Sequence, residues 1–306
     1  MNVFVAGGSG TIGIPLVRAL VIAGHPVTAL TRSPTKREML EALGASVAVA
    51  DALDRDALAA AMTAAHPTHV IHQLTALPRD GPRRASDIEA TNRLRIDGTH
   101  NLLQAAIGAH ARRFIVGSFA PLAGSAPATV SGGATAAVRS MESQVLRATQ
   151  QGLIEGVVLR YGMFYGPGVP STTALVKRVR KRLLPIVRGD TGQLPLIHID
   201  DAVSATVLAL DAAPAGSTYE IVDDHPASMT EIVTTLAKHI DVGPPFLVPA
   251  WLPRLVAPYL ARVTAIRMPL SNARAKAELG WRPKYPTVEN GIAQVFATPI
   301  DSCPDC

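Results

Sequence analysis

Three glycines at a fixed spacing lie close to the start of the chain. Gly7, Gly10 and Gly13 directly follow the apolar run 3–6 and precede a segment of helical period. In a strand–loop–helix unit, such glycines allow a tight turn, the approach of a pyrophosphate and close helix–strand packing. The helix N-terminus then offers unpaired N–H groups to the phosphates, and a structural turn is the alternative. The spacing predicts a dinucleotide site lined by the following residues: Gly7, Ser9, Gly10, Thr11, Ile12 and Gly13.

The residues that follow the second and third predicted strands bear on the choice of cofactor. An acidic residue about 20 positions beyond the glycines would bind the ribose 2′-OH of NAD, but this chain has Arg32 there and no acid. Arg32, helped by Ser33, Lys36 or Arg37, could hold a 2′-phosphate through charge-assisted hydrogen bonds. The sequence therefore favours NADP and leaves NAD open, unless Arg32 is a solvated loop residue. Asp51 could bind the adenine amine or cap the next helix.

The elements that must position these residues alternate along the first half of the chain. Short β-branched runs alternate with Ala/Leu-rich segments of helical period, which predicts βαβ units and a parallel sheet covered on both faces. The predicted strands and helices are, in turn, 3–6, 27–30, 47–49, 70–72 and 114–116, and 12–23, 36–43, 55–64 and 91–109. The predicted fold class is α/β, a Rossmann-type doubly wound parallel sheet.

After residue 165 the pattern loosens, and Pro and Gly become frequent. We expect a dinucleotide-binding domain over 1–165, to which 196–215 returns. Residues 166–306 should mostly form a smaller substrate-binding lobe and a C-terminal tail, over the strand ends where open α/β sheets bind ligands. Further helices and strands are expected at 171–184, 201–210, 230–239 and 272–279, and at 196–198 and 219–222.

Composition narrows the function classes. The 306 residues can bury a full core, and a net charge of +5 is too small to argue for nucleic acid or membrane partners. The sequence contains no run of about 18 or more apolar residues, so no membrane span is predicted. Cys303 and Cys306 lie at the very end, so no disulfide framework is expected. We expect a cytoplasmic protein with a small-molecule substrate that could be anionic; a homodimer stays open.

Further segments carry a resemblance to a known family. They are LRYGMFYGPG at 159–168, IHIDD at 197–201, LGWRP at 279–283 and VIHQLTA at 70–76. Together with the glycine loop they resemble the extended short-chain dehydrogenase/reductases of the NAD-dependent epimerase/dehydratase family, over nearly the whole chain. The resemblance implies a small C-terminal substrate lobe, and oxidoreductase or epimerase chemistry on a polar carbonyl or alcohol. It also places Gln73 and Thr75 at the cofactor.

The catalytic pair of that family is absent from this chain. Members that move hydride use Tyr-x-x-x-Lys, in which the lysine lowers the tyrosine pKa so that the phenol can exchange a proton with the substrate. The pair should fall near residues 134–139, which are ATAAVR. All five tyrosines lie at position 161 or later, and none has a lysine four residues on. The family's serine motif is also altered, because Phe119 follows Ser118.

Three residues are candidate substitutes for the missing pair. Ser118 could hydrogen-bond a substrate oxygen, Tyr161 could donate the proton, and Arg139 could keep the lysine's positive charge without titrating. The structural alternatives are a strand-end hydrogen bond for Ser118 and packing for Tyr161. The predicted function is an NAD(P)-dependent oxidoreductase or epimerase with a non-standard proton donor. A non-catalytic NADP-binding sensor or scaffold is the alternative, and a tightly held cofactor for internal redox isomerisation is a third.

Two charged clusters have both a functional and a structural interpretation. Residues 177–182 carry five bases on a predicted helix, which form a solvated face or a clamp for an anionic substrate group. His198, Asp200 and Asp201 could suggest a metal or acid–base site. A buried histidine bonded to backbone, beside an aspartate that caps the helix, is the preferred interpretation. No metal site is predicted.

Overall fold

The computed structural model describes residues 1–78, 84–123, 132–189, 192–249 and 270–297, so the predicted C-terminal tail lies outside the described residues. The strands are β1 (Val3–Ala6), β2 (Val27–Thr31), β3 (Ser46–Val49), β4 (His69–His72), β5 (Arg113–Phe119), β6 (Glu155–Tyr161), β7 (Met163–Tyr165), β8 (Ile186–Val187), β9 (Leu196–His198), β10 (Thr218–Ile221) and β11 (Leu247–Val248). The helices are α1 (Gly13–Ile22), α2 (Arg37–Glu41), α3 (Arg55–Ala65), α4 (Glu89–Arg93), α5 (Thr99–Gly108), α6 (Ala120–Ala123), α7 (Gly132–Gln150), α8 (Pro170–Arg180), α9 (Ile199–Ala212), α10 (Met229–His239), α11 (Ala273–Leu279) and α12 (Val288–Ala297). No helix among these is long and apolar enough to cross a membrane.

A parallel sheet organises the described residues. Seven strands lie in the order β10-β6-β5-β4-β1-β2-β3, and every neighbouring pair is parallel. The five strands predicted in the first half are present, and β5 extends to Phe119. The predicted Rossmann-type fold class is therefore confirmed, with all strand carboxyl ends at one edge of the sheet.

Helices cover both faces of the sheet. Val3 and Val5 of β1 pack in a core with α1, α9 and α11, whereas Phe4 and Ala6 pack in a second core with α3, α5 and α7. Successive side chains of a strand point to opposite faces, so a strand buried on both must be apolar throughout. This explains the uninterrupted apolar runs in the sequence.

The predicted helix 91–109 is interrupted. The chain forms α4, then a π-helical turn over Leu94–Gly98, then α5. A π turn inserts an extra residue and rotates the side chains around it, and such turns occur frequently at functional sites. Here the turn carries Arg95 into the interior, where only 8% of its surface is exposed.

A second, smaller core lies beyond the sheet. Side chains of α8, α10 and α12 form it together with those of β7 and β9, including Val176, Leu236 and Ile292. Elements beyond residue 215 also pack with the large sheet, which the sequence did not predict. The return predicted for 196–215 extends further, because β10 pairs with β6 and α11 packs against α9 and β10.

The start of α9 corrects one prediction about capping. The N-cap is the buried His198, whose Nδ1 accepts a hydrogen bond from the Asp200 N–H at 3.3 Å. Asp201 instead lies inside the helix, where its carboxylate accepts hydrogen bonds from the N–H groups of Lys284 and Tyr285 at 2.7 and 2.8 Å. Asp201 therefore fastens the segment before α12 to the first domain.

Replacing Asp201 by Asn should lower the free energy of unfolding by about 1–3 kcal/mol, because the amide NH₂ would face one of the two N–H donors and leave it without an acceptor. Urea unfolding measures the change. Asp200→Asn is the matched control, since the Asp200 side chain is 49% exposed; its effect should stay within about 0.5 kcal/mol. Equal losses in the two variants would contradict this account of Asp201.

Candidate cofactor and substrate site

The glycine loop has the geometry that its spacing predicts. Gly7 has a φ of 91°, in the left-handed region, and a side chain there would lie 2.9 Å from the Gln73 backbone. A side chain at Gly13 would overlap the Gly7 carbonyl oxygen. The tight turn at Gly7 and the close packing at Gly13 are therefore confirmed. Gly10 closes the turn by donating its N–H to the Gly7 carbonyl at 2.9 Å.

The start of α1 offers donors for an anion. No side chain caps this helix, and the N–H groups of Thr11 and Ile12 find no acceptor among the described residues. Ser9, beside them, shares a hydrogen bond with the buried Thr31 hydroxyl at 3.1 Å. Because free N–H groups and the helix dipole together favour negative charge, this loop is suited to a pyrophosphate.

The edge beyond β2 leaves its basic side chains available. Arg32 is exposed and makes no ion pair with any residue that the structure describes. Lys36 is likewise unpaired there, whereas Arg37 pairs with Glu41 at 3.2 Å. Arg32 and Lys36 are thus free to meet a 2′-phosphate.

Asp51 does not cap the next helix. Asp54 is the N-cap of α3 and accepts from the Ala57 N–H at 3.1 Å. The Asp51 carboxylate is exposed and uses one oxygen to accept from the Leu53 N–H at 2.9 Å. Its second oxygen remains available at the edge of the sheet, so contact with adenine stays a prediction.

Gln73 reaches across the carboxyl ends of three strands. Its N–H donates to the Ala6 carbonyl at 2.8 Å, and its side-chain amide donates to the Tyr161 hydroxyl at 3.0 Å. The amide oxygen occupies the space where a side chain at Gly117 would otherwise stand. Thr75 is exposed two residues further on. Both residues lie at the predicted edge, and their contact with a cofactor stays a prediction.

Tyr161 is a buried residue of the sheet. It is the last residue of β6, not a residue beyond it, and only 3% of its surface is exposed. Thr206 donates to the Ala202 carbonyl at 2.6 Å, so the Tyr161 hydroxyl donates to Thr206, at 2.7 Å. Burial raises the pKa of this phenol to about 12. The phenol is thus engaged by partners within the protein, and its predicted role as proton donor stays a prediction.

Ser118 faces the other side of the sheet. Its hydroxyl donates to the buried Glu142 carboxylate on α7 at 2.6 Å. Arg160 donates to both oxygens of the same carboxylate, at 3.0 and 2.7 Å, and lies 3.7 Å from Glu220. Ser118 and Tyr161 therefore do not flank one ligand together, because strand alternation directs them to opposite faces. Sequence reasoning missed Glu142, whose helical position gave no signal of this pairing.

Arg139 lies on the exposed side of α7, and its predicted role stays a prediction. Its side chain is exposed on the outer face of α7, without an ion pair in the described ranges. In the window of the lost Tyr/Lys pair, Ala134 and Val138 are buried and apolar. The buried cation on this side of the sheet is instead Arg95, which sequence reasoning missed because the π turn rotates it inward.

The basic run at 177–182 and the cluster of His198, Asp200 and Asp201 both agree with their structural interpretation. Lys177, Arg178, Arg180 and Lys181 are exposed and make no ion pair within the described part, which agrees with a solvated face. His198 is buried and bonded to backbone, and burial lowers its pKa to about 4. In the parts of the chain that the structure describes, no three His, Cys, Asp or Glu side chains form a group that could hold a metal.

A parallel Rossmann sheet with an open glycine loop and free N–H groups defines a dinucleotide-binding protein. The NAD dependent epimerase/dehydratase family matches this chain over residues 3–222, and the chain belongs to that family. The protein is thus an enzyme of the NAD(P)-dependent oxidoreductase and epimerase class, as the resemblance in the sequence implied.

Named relatives extend over most of the chain. A 3-diazoavenalumate denitrifying reductase from a Streptomyces species is 37% identical, over 96% of this chain and 100% of its own. A 2-alkyl-3-oxoalkanoate reductase from Stenotrophomonas maltophilia is 26% identical, over 77% of this chain and 74% of its own. The structure of UDP-glucose 4-epimerase from Thermus thermophilus, in complex with NAD, superposes with a TM-score of 0.77 at 22% identity, covering 97% of this chain and 100% of that one. At that identity the superposition supports the fold alone.

Ser118→Ala should lower the free energy of unfolding by only about 1 kcal/mol, the typical worth of one hydrogen bond. Glu142→Ala should cost about 3 kcal/mol or more, because it leaves Arg160 partly buried without its main counter-charge. Urea unfolding of both variants checks the contrast. If Ser118→Ala abolished turnover at unchanged stability, Ser118 would be catalytic after all.

Proposed function

We propose that this enzyme is an NADP-dependent reductase that delivers hydride to an electron-poor substrate without a tyrosine acid. The proposal rests on one contrast at the carboxyl edge of the sheet, between the glycine loop and the hydroxyl groups at the ends of β5 and β6. The cofactor loop is complete, whereas Tyr161 and Ser118 are committed to Thr206 and Glu142. An enzyme that retains the hydride source and lacks the proton donor suits a substrate that needs no proton when hydride arrives.

A diazo group, in its aryl diazonium form, is the substrate class that fits this contrast. Reduction of a ketone needs a proton on the oxygen as hydride reaches the carbon. Bound NADPH would supply hydride to the terminal nitrogen of a diazonium cation, which gives an aryldiazene that releases dinitrogen and keeps the hydrogen on the arene. That acceptor carries its own positive charge, so a site without an acid suffices. The relative that is 37% identical is named for reduction of a diazo compound.

A carbonyl substrate is the second candidate. The relative from Stenotrophomonas maltophilia is named for reduction of an oxoalkanoate, and the sequence favours a polar carbonyl or alcohol by family resemblance. This chemistry would require a proton donor other than Tyr161 or Ser118. It therefore stands behind the diazo class.

The residues suited to hold NADP lie on two neighbouring elements. The free N–H groups of Thr11 and Ile12 suit the pyrophosphate, and Ser9 lies beside them. Arg32 and Lys36 carry unpaired positive charge at the end of β2. A guanidinium forms two parallel hydrogen bonds to a phosphate, which a ribose hydroxyl cannot reciprocate. This supports NADP over NAD.

Arg32→Ala should weaken NADPH binding by about tenfold to a hundredfold and leave NADH binding within about twofold, because one charge-assisted pair to the 2′-phosphate is lost. Isothermal titration calorimetry of both cofactors provides the measurement. Arg18→Ala is the matched control, since Arg18 is an exposed arginine of α1 with no ion pair to any described residue. Equal weakening of NADH by Arg32→Ala would argue against a 2′-phosphate site.

With NADPH deuterated at nicotinamide C4, the enzyme should convert an arenediazonium salt to a monodeuterated arene and dinitrogen. Mass spectrometry of the arene measures the label, against a reaction without enzyme and one with Gly13→Val, whose side chain would block the loop. Turnover of ketones but not of the diazonium salt would favour the carbonyl candidate. Cofactor binding with no turnover of either class would favour the sensor alternative.

A further inference from the structure

Arg95 is a buried cation without an anionic partner among the residues that the structure describes. Only 8% of its surface is exposed, and among the described residues it makes one weak hydrogen bond, to the neutral Asn92 amide oxygen at 3.5 Å. No carboxylate lies within ion-pair distance of it in the described residues. Burial lowers the pKa of the guanidinium to about 10, so the group remains charged at neutral pH.

The other buried charges of this sheet are compensated. Arg113 donates to Glu155 at 2.7 Å and to two carbonyl groups of α9, and Arg160 is paired with Glu142. Taking a cation out of water is costly unless opposite charge or several acceptors replace the lost hydration. Arg95 has neither within this part of the structure, so its charge is available to a ligand.

Arg95 lies on a turn that packs against α7, the helix whose residues 134–139 would hold the lost catalytic pair. The π turn that carries it packs against α7, and a side chain at Gly133, in the first turn of α7, would lie 3.8 Å from Asn92. The charge of Arg95 also reaches His72, the last residue of β4. Thr91 accepts a hydrogen bond from the Ala76 N–H at 3.0 Å, which ties α4 to the segment beyond β4.

The cofactor phosphates are not the natural partner of this cation. The glycine loop leads into α1, which packs on one face of the sheet, whereas the helices next to Arg95, α5 and α7, pack on the other. An anion that pairs with Arg95 would therefore be a group separate from the cofactor phosphates, on the face covered by α5 and α7. The names of both reductases described above denote carboxylates, an avenalumate and an alkanoate.

We propose that Arg95 binds the carboxylate of the substrate, and so makes anionic, carboxylate-bearing molecules the substrate class of this enzyme. The guanidinium has five N–H donors and uses one on Asn92, so a planar carboxylate can take two parallel hydrogen bonds from the rest. Asn92 holds the side chain in position. The inference deepens the proposed reductase function and rests on it for the identity of the site.

Binding of unreactive carboxylates tests this role without turnover. In the presence of saturating NADP⁺, wild-type protein should bind cinnamate or octanoate, and the neutral methyl esters should bind at least about tenfold more weakly. Arg95→Met should lose the preference for the acid, and Arg95→Lys should keep part of it. Arg93→Met is the matched control, because the Arg93 side chain lies two residues away and is 68% exposed. Calorimetry measures all four proteins.

Thermal unfolding separates a binding role from a structural one. Since methionine removes a buried charge that lacks a counter-charge, Arg95→Met should melt at or above the wild-type temperature. Cinnamate affinity unchanged in Arg95→Met, or no binding of either carboxylate to the wild type, would overturn the proposal. If Arg95→Met melted far lower and Arg95→Lys bound acid and ester alike, the proposal would also be wrong. Failure to reduce a diazonium salt, with carboxylate binding intact, would instead refute the proposed diazo substrate class alone.

Discussion

Successive side chains of a β-strand point to opposite faces of the sheet, and in this protein helices cover both faces. At the carboxyl ends of β5 and β6 this alternation decides which groups can cooperate. Ser118 pairs in register with Arg160 and faces α7, whereas Tyr161 pairs with Phe119 and faces α9. Two hydroxyl groups that are close along the edge are thereby separated by the sheet itself. Groups that contact the same part of a ligand must accordingly come from the same face of the sheet.

The charged groups on the α7 side of the sheet differ in whether an opposite charge lies beside them. The Glu142 carboxylate receives hydrogen bonds from Ser118 and Arg160, so its lone pairs are occupied by the protein. Within the described ranges, Arg95 has a single neutral partner. Since an uncompensated buried charge destabilises a fold, a residue of this kind is better explained by a ligand than by stability. The same side of the sheet thus contains a closed structural network and an open cation.

The proposed reaction follows from the cofactor-binding features that the chain retains and from the catalytic pair that it lacks. The glycine loop, the open start of α1 and Arg32, which has no ion pair among the described residues, remain suited to a nicotinamide dinucleotide. The tyrosine and lysine that exchange a proton are absent from the window 134–139. Hydride transfer to a carbonyl depends on that proton, but transfer to a diazonium group does not. An enzyme of this family can therefore lose the pair and still reduce a substrate that supplies its own electron sink.

The sequence by itself determined the fold class, the glycine loop and the absence of the catalytic pair. These features depend on local spacing and on hydrophobic period, which are visible along the chain. Only the tertiary structure decided on which face Ser118, Tyr161 and Arg139 lie, because the face of a side chain depends on strand register and on which helix covers it. It also brought Arg95 inward through a π turn, which inserts one residue without any break in helical composition. Partners such as Glu142 for Ser118 and Lys284 for Asp201 are 24 and 83 residues apart along the chain. Contacts over such separations exist only once the sheet and its two layers of helices have assembled.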